Sequence, residues 1–200
     1  MKRYATILLL LVAGLISAGF AVGIYQQHRV DSFFRQFVSL QLGKSSFEDV
    51  QRLAMQYGAK SSGVQLQNPC TAQDCAVTFT FTNWIFDHLR RDREISMAAG
   101  LTVKDGHLTT KEVDFSIFSS VDDHNYMYVL FDRSRPEDNS GYSIRRPRID
   151  SHGVAHYVMV ELGSNAPDKL RNEAYSVNLR CLTRILGCDS QSDVIPRVWR

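Results

Sequence analysis

The chain has 200 residues, with 23 lysines and arginines against 21 aspartates and glutamates, and a formal net charge of +2. That balance is too small to argue for a nucleic-acid partner. Mean hydropathy is −0.20 even with a long apolar N-terminal run counted in, so the remainder reads as one soluble domain of ordinary size.

The run from Tyr4 to Tyr25 carries no charged side chain and lies between Lys2-Arg3 and the polar group Gln26, Gln27, His28, Arg29. About 20 apolar residues in a helix span a bilayer, so this stretch is long enough. A cleaved signal peptide needs a small-x-small site. The candidates Ser17-Ala18-Gly19 and Gly19-Phe20-Ala21 are both poor, which favours an uncleaved signal anchor over secretion after cleavage. The positive-inside rule puts Lys2 and Arg3 in the cytoplasm and the C-terminal domain outside, with Arg29 weakening the asymmetry. The expected organisation is a membrane segment over residues 1–29 and an exported domain over 30–200.

Val30, Phe33, Phe34, Phe37 and Val38 recur at helical spacing, so a helix continues or restarts as far as Leu42, before Gly43. Ser45 with Glu48 predicts a capping box, and Phe47, Val50, Leu53, Ala54 and Tyr57 make one apolar face that ends at Gly58. The stretch Leu42-Gly43-Lys44-Ser45-Ser46-Phe47-Glu48-Asp49-Val50, with Leu53 and Tyr57-Gly58, resembles the opening of small envelope modules of the BamE and SmpA type. The resemblance implies a helix leading into a small antiparallel sheet, and no family is assigned on it.

Strand signals start weakly at Val64-Gln65-Leu66 and become clear at Val77-Thr78-Phe79-Thr80-Phe81-Thr82, which alternates apolar with threonine. Asn83 is placed to cap a short helix carrying Trp84, Ile85, His88 and Leu89. A strand over Ile95–Val103 meets Lys104-Asp105-Gly106-His107, a hairpin turn, and the return strand changes register near Thr110. Tyr126 to Phe131 is apolar on both faces and predicts a central strand. Arg133 to His152 reads as a long polar loop, Val154 to Leu162 as a further strand, and the stretch from Pro167 to Gly187 as helical. The expected class is α+β: an N-terminal transmembrane helix, then an antiparallel β-sheet packed with helices.

Four cysteines fall as two close pairs, Cys70 with Cys75 and Cys181 with Cys188. In an oxidising compartment an even number implies disulfides, and two local bridges are expected. Zinc is the competing reading, but only the first pair has a usual ligand spacing. No cofactor is expected.

Catalytic constellations are weak. His152 and His156 have zinc-like spacing, but the strand expected after Gly153 takes in His156, where that motif needs a helix. Asp150, Ser151 and His152 are triad types set side by side, a poor arrangement for a relay. Asp122, Asp123, His124 and Asn125 read first as turn residues and only second as cation ligands. The densest basic cluster is Arg145, Arg146 and Arg148, in the same loop as Arg133 and Arg135. It is the expected ligand-binding surface if there is one, suited to an anionic partner. The leading expectation is thus an extracytoplasmic binding or envelope-structural module, held to the membrane by residues 4–25, with an envelope protein or an anionic molecule as partner. The competitors are an exported hydrolase built on His124, His152 and His156, and an anionic-ligand binder using the arginine loop.

Overall fold

The computed structural model describes residues 2–63, 69–83, 88, 92–119, 125–134, 141–149, 155–184 and 187–199. Helix α1 runs unbroken over Lys2–Ser39, about 57 Å of helix. It is continuous across the position where the membrane segment was expected to give way to the domain. Among the described residues it is the helix long and apolar enough to cross a membrane, with 0% of its most apolar window buried. Its last turns are the opposite: Val30, Phe33 and Phe37 are fully enclosed, each phenylalanine contributing about 2–3 kcal/mol relative to exposure.

Helix α2 spans Phe47–Tyr57 and buries Val50, Leu53 and Tyr57. Its cap is Ser46 with Asp49, not Ser45 with Glu48; the hydroxyl of Ser46 accepts from Asp49 N–H and the Asp49 carboxylate accepts from Ser46 N–H. The shift by one arises because Ser45 is used elsewhere, its Oγ accepting from Gln41 N–H at 2.9 Å. Gly58 closes the helix at φ 73°, a left-handed value that glycine reaches without strain.

Seven strands follow: β1 Lys60–Ser62, β2 Asp74–Thr82, β3 Arg93–Lys104, β4 His107–Ser119, β5 Tyr126–Arg133, β6 Tyr142–Ile149 and β7 Ala155–Leu162, in the order β1-β2-β3-β4-β5-β7-β6. The expectation of a wholly antiparallel sheet is corrected at one place, since β5 and β7 pair in parallel. Strand β6 folds back outside β7, so β7 lies between β5 and β6 and runs with β5. The long polar loop expected over Arg133–His152 is corrected too, because its middle is β6. Alternation there is masked by three arginines and Pro147, which is tolerated because β6 is an edge strand with register shifts between Arg145 and Ile149.

The hairpin between β3 and β4 has Asp105 at φ 51° and Gly106 at φ 81°, the tight turn expected of Asp-Gly. The expected bulge is present: Thr102 pairs with Thr110 but Val103 with Leu108, leaving Thr109 as the extra residue. The stretch expected to be helical towards the C-terminus is divided into α3 over Asp168–Ala174 and a 3-10 turn over Leu179–Leu182. Two further elements were not anticipated, α4 over Gln191–Val194 and a 3-10 turn over Arg197–Trp199 that buries Trp199. The strand suggested at Val64–Leu66 and most of the helix suggested after Asn83 lie outside the described residues. The core lies between one face of the sheet, with Phe79, Met97, Leu101, Phe115 and Tyr128, and the layer of helices.

Both cysteine pairs are disulfides, Cys70–Cys75 with S–S 1.98 Å and Cys181–Cys188 with S–S 2.09 Å. Asp193 stands close to the second pair, but those sulfurs are bonded to one another and offer no thiolate for zinc.

Candidate functional site

Strand β4 alternates, so Leu108 faces the helices; without the bulge, Thr110 and Glu112 would follow it inward. The extra residue Thr109 changes the count, and Lys111, Val113, Phe115 and Ile117 face inward instead. A lysine is thereby placed in the core, 4% exposed. Its ammonium donates to the carbonyls of Val38 at 3.2 Å and Leu40 at 3.0 Å. These lie at the end of α1, where helical carbonyls lack their own partners and a cation is favoured. The aromatic rings of Tyr175 and Phe37 lie 4.7 and 5.9 Å from Lys111 Nζ.

Directly across the sheet from Lys111 is Asp132 of β5, which is fully buried. Its carboxylate accepts from the Arg171 guanidinium of α3 and from the Tyr175 hydroxyl, the latter at 3.0 Å. Arg171 also donates to Gly163 O at 3.0 Å, beyond the end of β7. Four elements, α1, β4, β5 and α3, thus meet in one ionic cluster. Burial pushes the Lys111 ammonium down to about 8, with Asp132 opposing that shift and Arg171 adding to it. Burial, then the Asp132 charge, holds the Tyr175 phenol well above its usual value.

A cleft of about 400 Å³ opens beside the cluster, with Lys44, Ser134, Ser164 and Asp168 on its walls. The donors inside it are largely engaged: Lys111 serves two carbonyls, and Arg171 serves Asp132 and Gly163. The arrangement is therefore suited to fastening the end of α1 to the sheet. A buried charge set of this kind is costly to break, because removing one partner leaves another charge unpaired.

A second seam joins α1 to α2. The Arg29 guanidinium donates to Tyr57 O at 3.0 Å, and the Tyr57 hydroxyl donates to Ser32 Oγ at 3.0 Å while accepting from Gln36 Nε2 at 2.9 Å. Arg29, the charge that blurred the topology signal, is thus held by a helix C-terminus.

The described part of the expected arginine loop includes strand β6, and there the side chains of Arg133, Arg145 and Arg146 have separate partners. Arg145 and Arg146 are adjacent on β6 and leave on opposite faces. Arg145 approaches Glu161 of β7 at 4.0 Å. Arg146 donates to Trp199 O, at 3.0 Å through Nη2. Arg133 lies over the Phe131 ring, 4.6 Å from its centroid. Arg148 pairs in register with Tyr157, and Arg135 lies outside the described residues. Of the histidines weighed for a hydrolase, His156 packs against Tyr126 with the rings tilted and 5.2 Å between centroids, and His124 and His152 lie outside the described residues, as do Asp122, Asp123, Asp150 and Ser151.

Lys111, Asp132 and Arg171 were missed because each is unremarkable in sequence. The signal available was the register change near Thr110, which turns the next charged residue inward. Comparison with family models, with curated proteins and with solved structures gives no match, so the likeness of Leu42–Gly58 to envelope modules has no family match behind it.

Proposed function

We propose that the protein is a membrane-anchored, extracytoplasmic binding or envelope-structural module, in which the anchor is itself part of the domain core. The observation that carries this is α1. One unbroken helix is apolar and exposed through Tyr25, then supplies Val30, Phe33 and Phe37 to the core and is held at its end by Lys111. Between the two tyrosines that bound the run, Ser17 Oγ donates to Ala13 O at 2.9 Å, which satisfies it inside the helix as a lipid environment requires. Closed disulfides suit an oxidising compartment, and Lys2-Arg3 suit a cytoplasmic N-terminus.

A helix without a joint fixes the height of the domain. From Tyr25 to Ser39 is about 21 Å of helix, so the ionic cluster stands about that far along the helix from the apolar run. The domain is thereby presented as a rigid post.

The test is fractionation of the full-length chain, with intact mass, cytosolic-side proteolysis and thiol labelling before and after reduction. We expect the unprocessed chain in membranes, protected from protease, with no reactive thiol until it is reduced. A soluble chain with its N-terminus intact and four reactive thiols would overturn both the topology and the compartment.

A further inference from the structure

The Cys181–Cys188 loop meets α1 at Gly23, about 22 Å of helix before the Val38 carbonyl that Lys111 holds. It is fastened by the disulfide and by buried Asn83, whose Nδ2 donates to Cys181 O at 2.9 Å and Arg184 O at 2.8 Å. Arg184 N–H of the loop donates to the carbonyl of Arg180, the residue just before Cys181, at 2.9 Å. So held, the loop brings the Thr183 carbonyl against Gly23, where an added Cβ would lie 3.6 Å from that oxygen. Gly19, Phe20, Gly23 and Ile24 then form, with Thr183 and Arg184, a notch of about 400 Å³.

The level of this contact decides what covers it. Gly23 stands two residues before the end of the apolar run at Tyr25, about 3 Å along the axis. The run from Tyr4 to Tyr25 is about 33 Å long, against a hydrocarbon core of about 30 Å. With the run centred in the bilayer, the loop touches the helix where acyl chains give way to headgroups, a layer about 5–7 Å deep on each side. Phe20 and Ile24, each 58% exposed, continue the lipid-facing surface into the notch. Arg184 and Arg180, one turn apart, are exposed, and neither forms an ion pair among the described residues.

We propose that this loop is a second membrane contact, in which Arg184 and Arg180 bind the phosphate of an anionic phospholipid while its acyl chain lies along Phe20 and Ile24. The inference rests on α1 being inserted as proposed above. Guanidinium and phosphate match in charge and in bidentate geometry, and a loop already fixed by a disulfide and by Asn83 loses little freedom on binding. The domain is thereby seated on the bilayer as well as hung from the helix, which fixes its tilt.

The test uses full-length protein in phosphatidylcholine nanodiscs with and without phosphatidylglycerol, counting lipids retained after detergent release by native mass spectrometry. The wild type is expected to keep phosphatidylglycerol in preference to phosphatidylcholine. R180Q/R184Q should lose that preference, by about 5-fold for each arginine removed, or about 1 kcal/mol each. R52Q, at an exposed arginine on α2, should behave as wild type, and a circular-dichroism spectrum and thermal midpoint equal to those of the wild type certify the fold of each variant. Equal retention in R180Q/R184Q, or no preference in the wild type, overturns the lipid contact. Liposome flotation of the same proteins separates the two readings: if the chain floats but shows no selectivity, only the loop contact falls; if the wild type does not float, the anchor falls with it.

Discussion

On the face of β4 that packs against the helices, Lys111 is surrounded by two carbonyl acceptors and stands opposite Asp132, itself held by Arg171 and Tyr175. On the other face of the same strand, Asp114 keeps Oδ1 buried without a hydrogen-bond partner among the described residues, and Glu112 lies two residues away on the same side. Burial, and after it the like charge of Glu112, raises the Asp114 carboxyl to about 6; burial also raises Glu112, against the pull of Arg133. One strand therefore carries a satisfied buried charge set and an unsatisfied one. Burial alone does not say whether a charge stabilises a fold; its partners do.

The comparison can be broken most forcefully at Asp132. Asp132→Ala leaves Lys111 and Arg171 as two uncompensated cations, and we expect a loss of about 3–5 kcal/mol, read by urea denaturation of the full-length protein in detergent. A loss below about 1 kcal/mol, the range of exposed pairs, would show that the cluster is not holding α3 and the sheet together.

Lys111→Met keeps an unbranched apolar stem one atom shorter and spares the Asp132–Arg171 pair but leaves the Val38 and Leu40 carbonyls without their donor. A loss of about 1–3 kcal/mol at pH 7 is expected. The same variant tests the titration. Lys111 has a folded-state value of about 8 against 10.5 for the free side chain, so between these values the unfolded chain binds more protons. Stability of the wild type should accordingly rise by about 2 kcal/mol as pH goes from about 8 to about 10. Above that, Tyr175 opposes the gain, because its phenol resists ionisation only in the folded state. In Lys111→Met the rise should be absent.

The smallest effect has the opposite sign. Asp114 binds its proton more tightly folded than unfolded, so the stability from that proton is complete below about pH 4 and is lost as pH rises through about 6. Asp114→Asn removes the loss, and we expect a gain of about 1–2 kcal/mol at pH 7 after discounting for partial solvent screening, fading towards pH 4. Destabilisation at pH 7 would mean that the carboxylate has a partner that matters.

Much of the local structure was legible in the sequence because it depends on neighbours a few residues apart. The helical spacing of Val30, Phe33 and Phe37 marked the buried end of α1, Gly58 marked the end of α2, and Asp105-Gly106 marked the hairpin. The cysteine pairs were legible for the same reason, each closing a short loop. Of the candidate site, only the register change near Thr110 was visible. Its consequence was not, since which face of β4 is the inner one depends on the strands beside it.

Sequence by itself determined the apolar span, the period of α1, α2, β2, β3 and β4 and the local disulfides, all of which follow from the geometry of a short stretch of chain. Tertiary structure alone decided that α1 carries on into the core, that β5 and β7 run in parallel, that Arg145 and Arg146 part to opposite faces of β6, and that Lys111 meets Asp132 and Arg171. These depend on pairings between residues far apart in the chain, where a shift of one position in a strand turns every side chain after it to the other face.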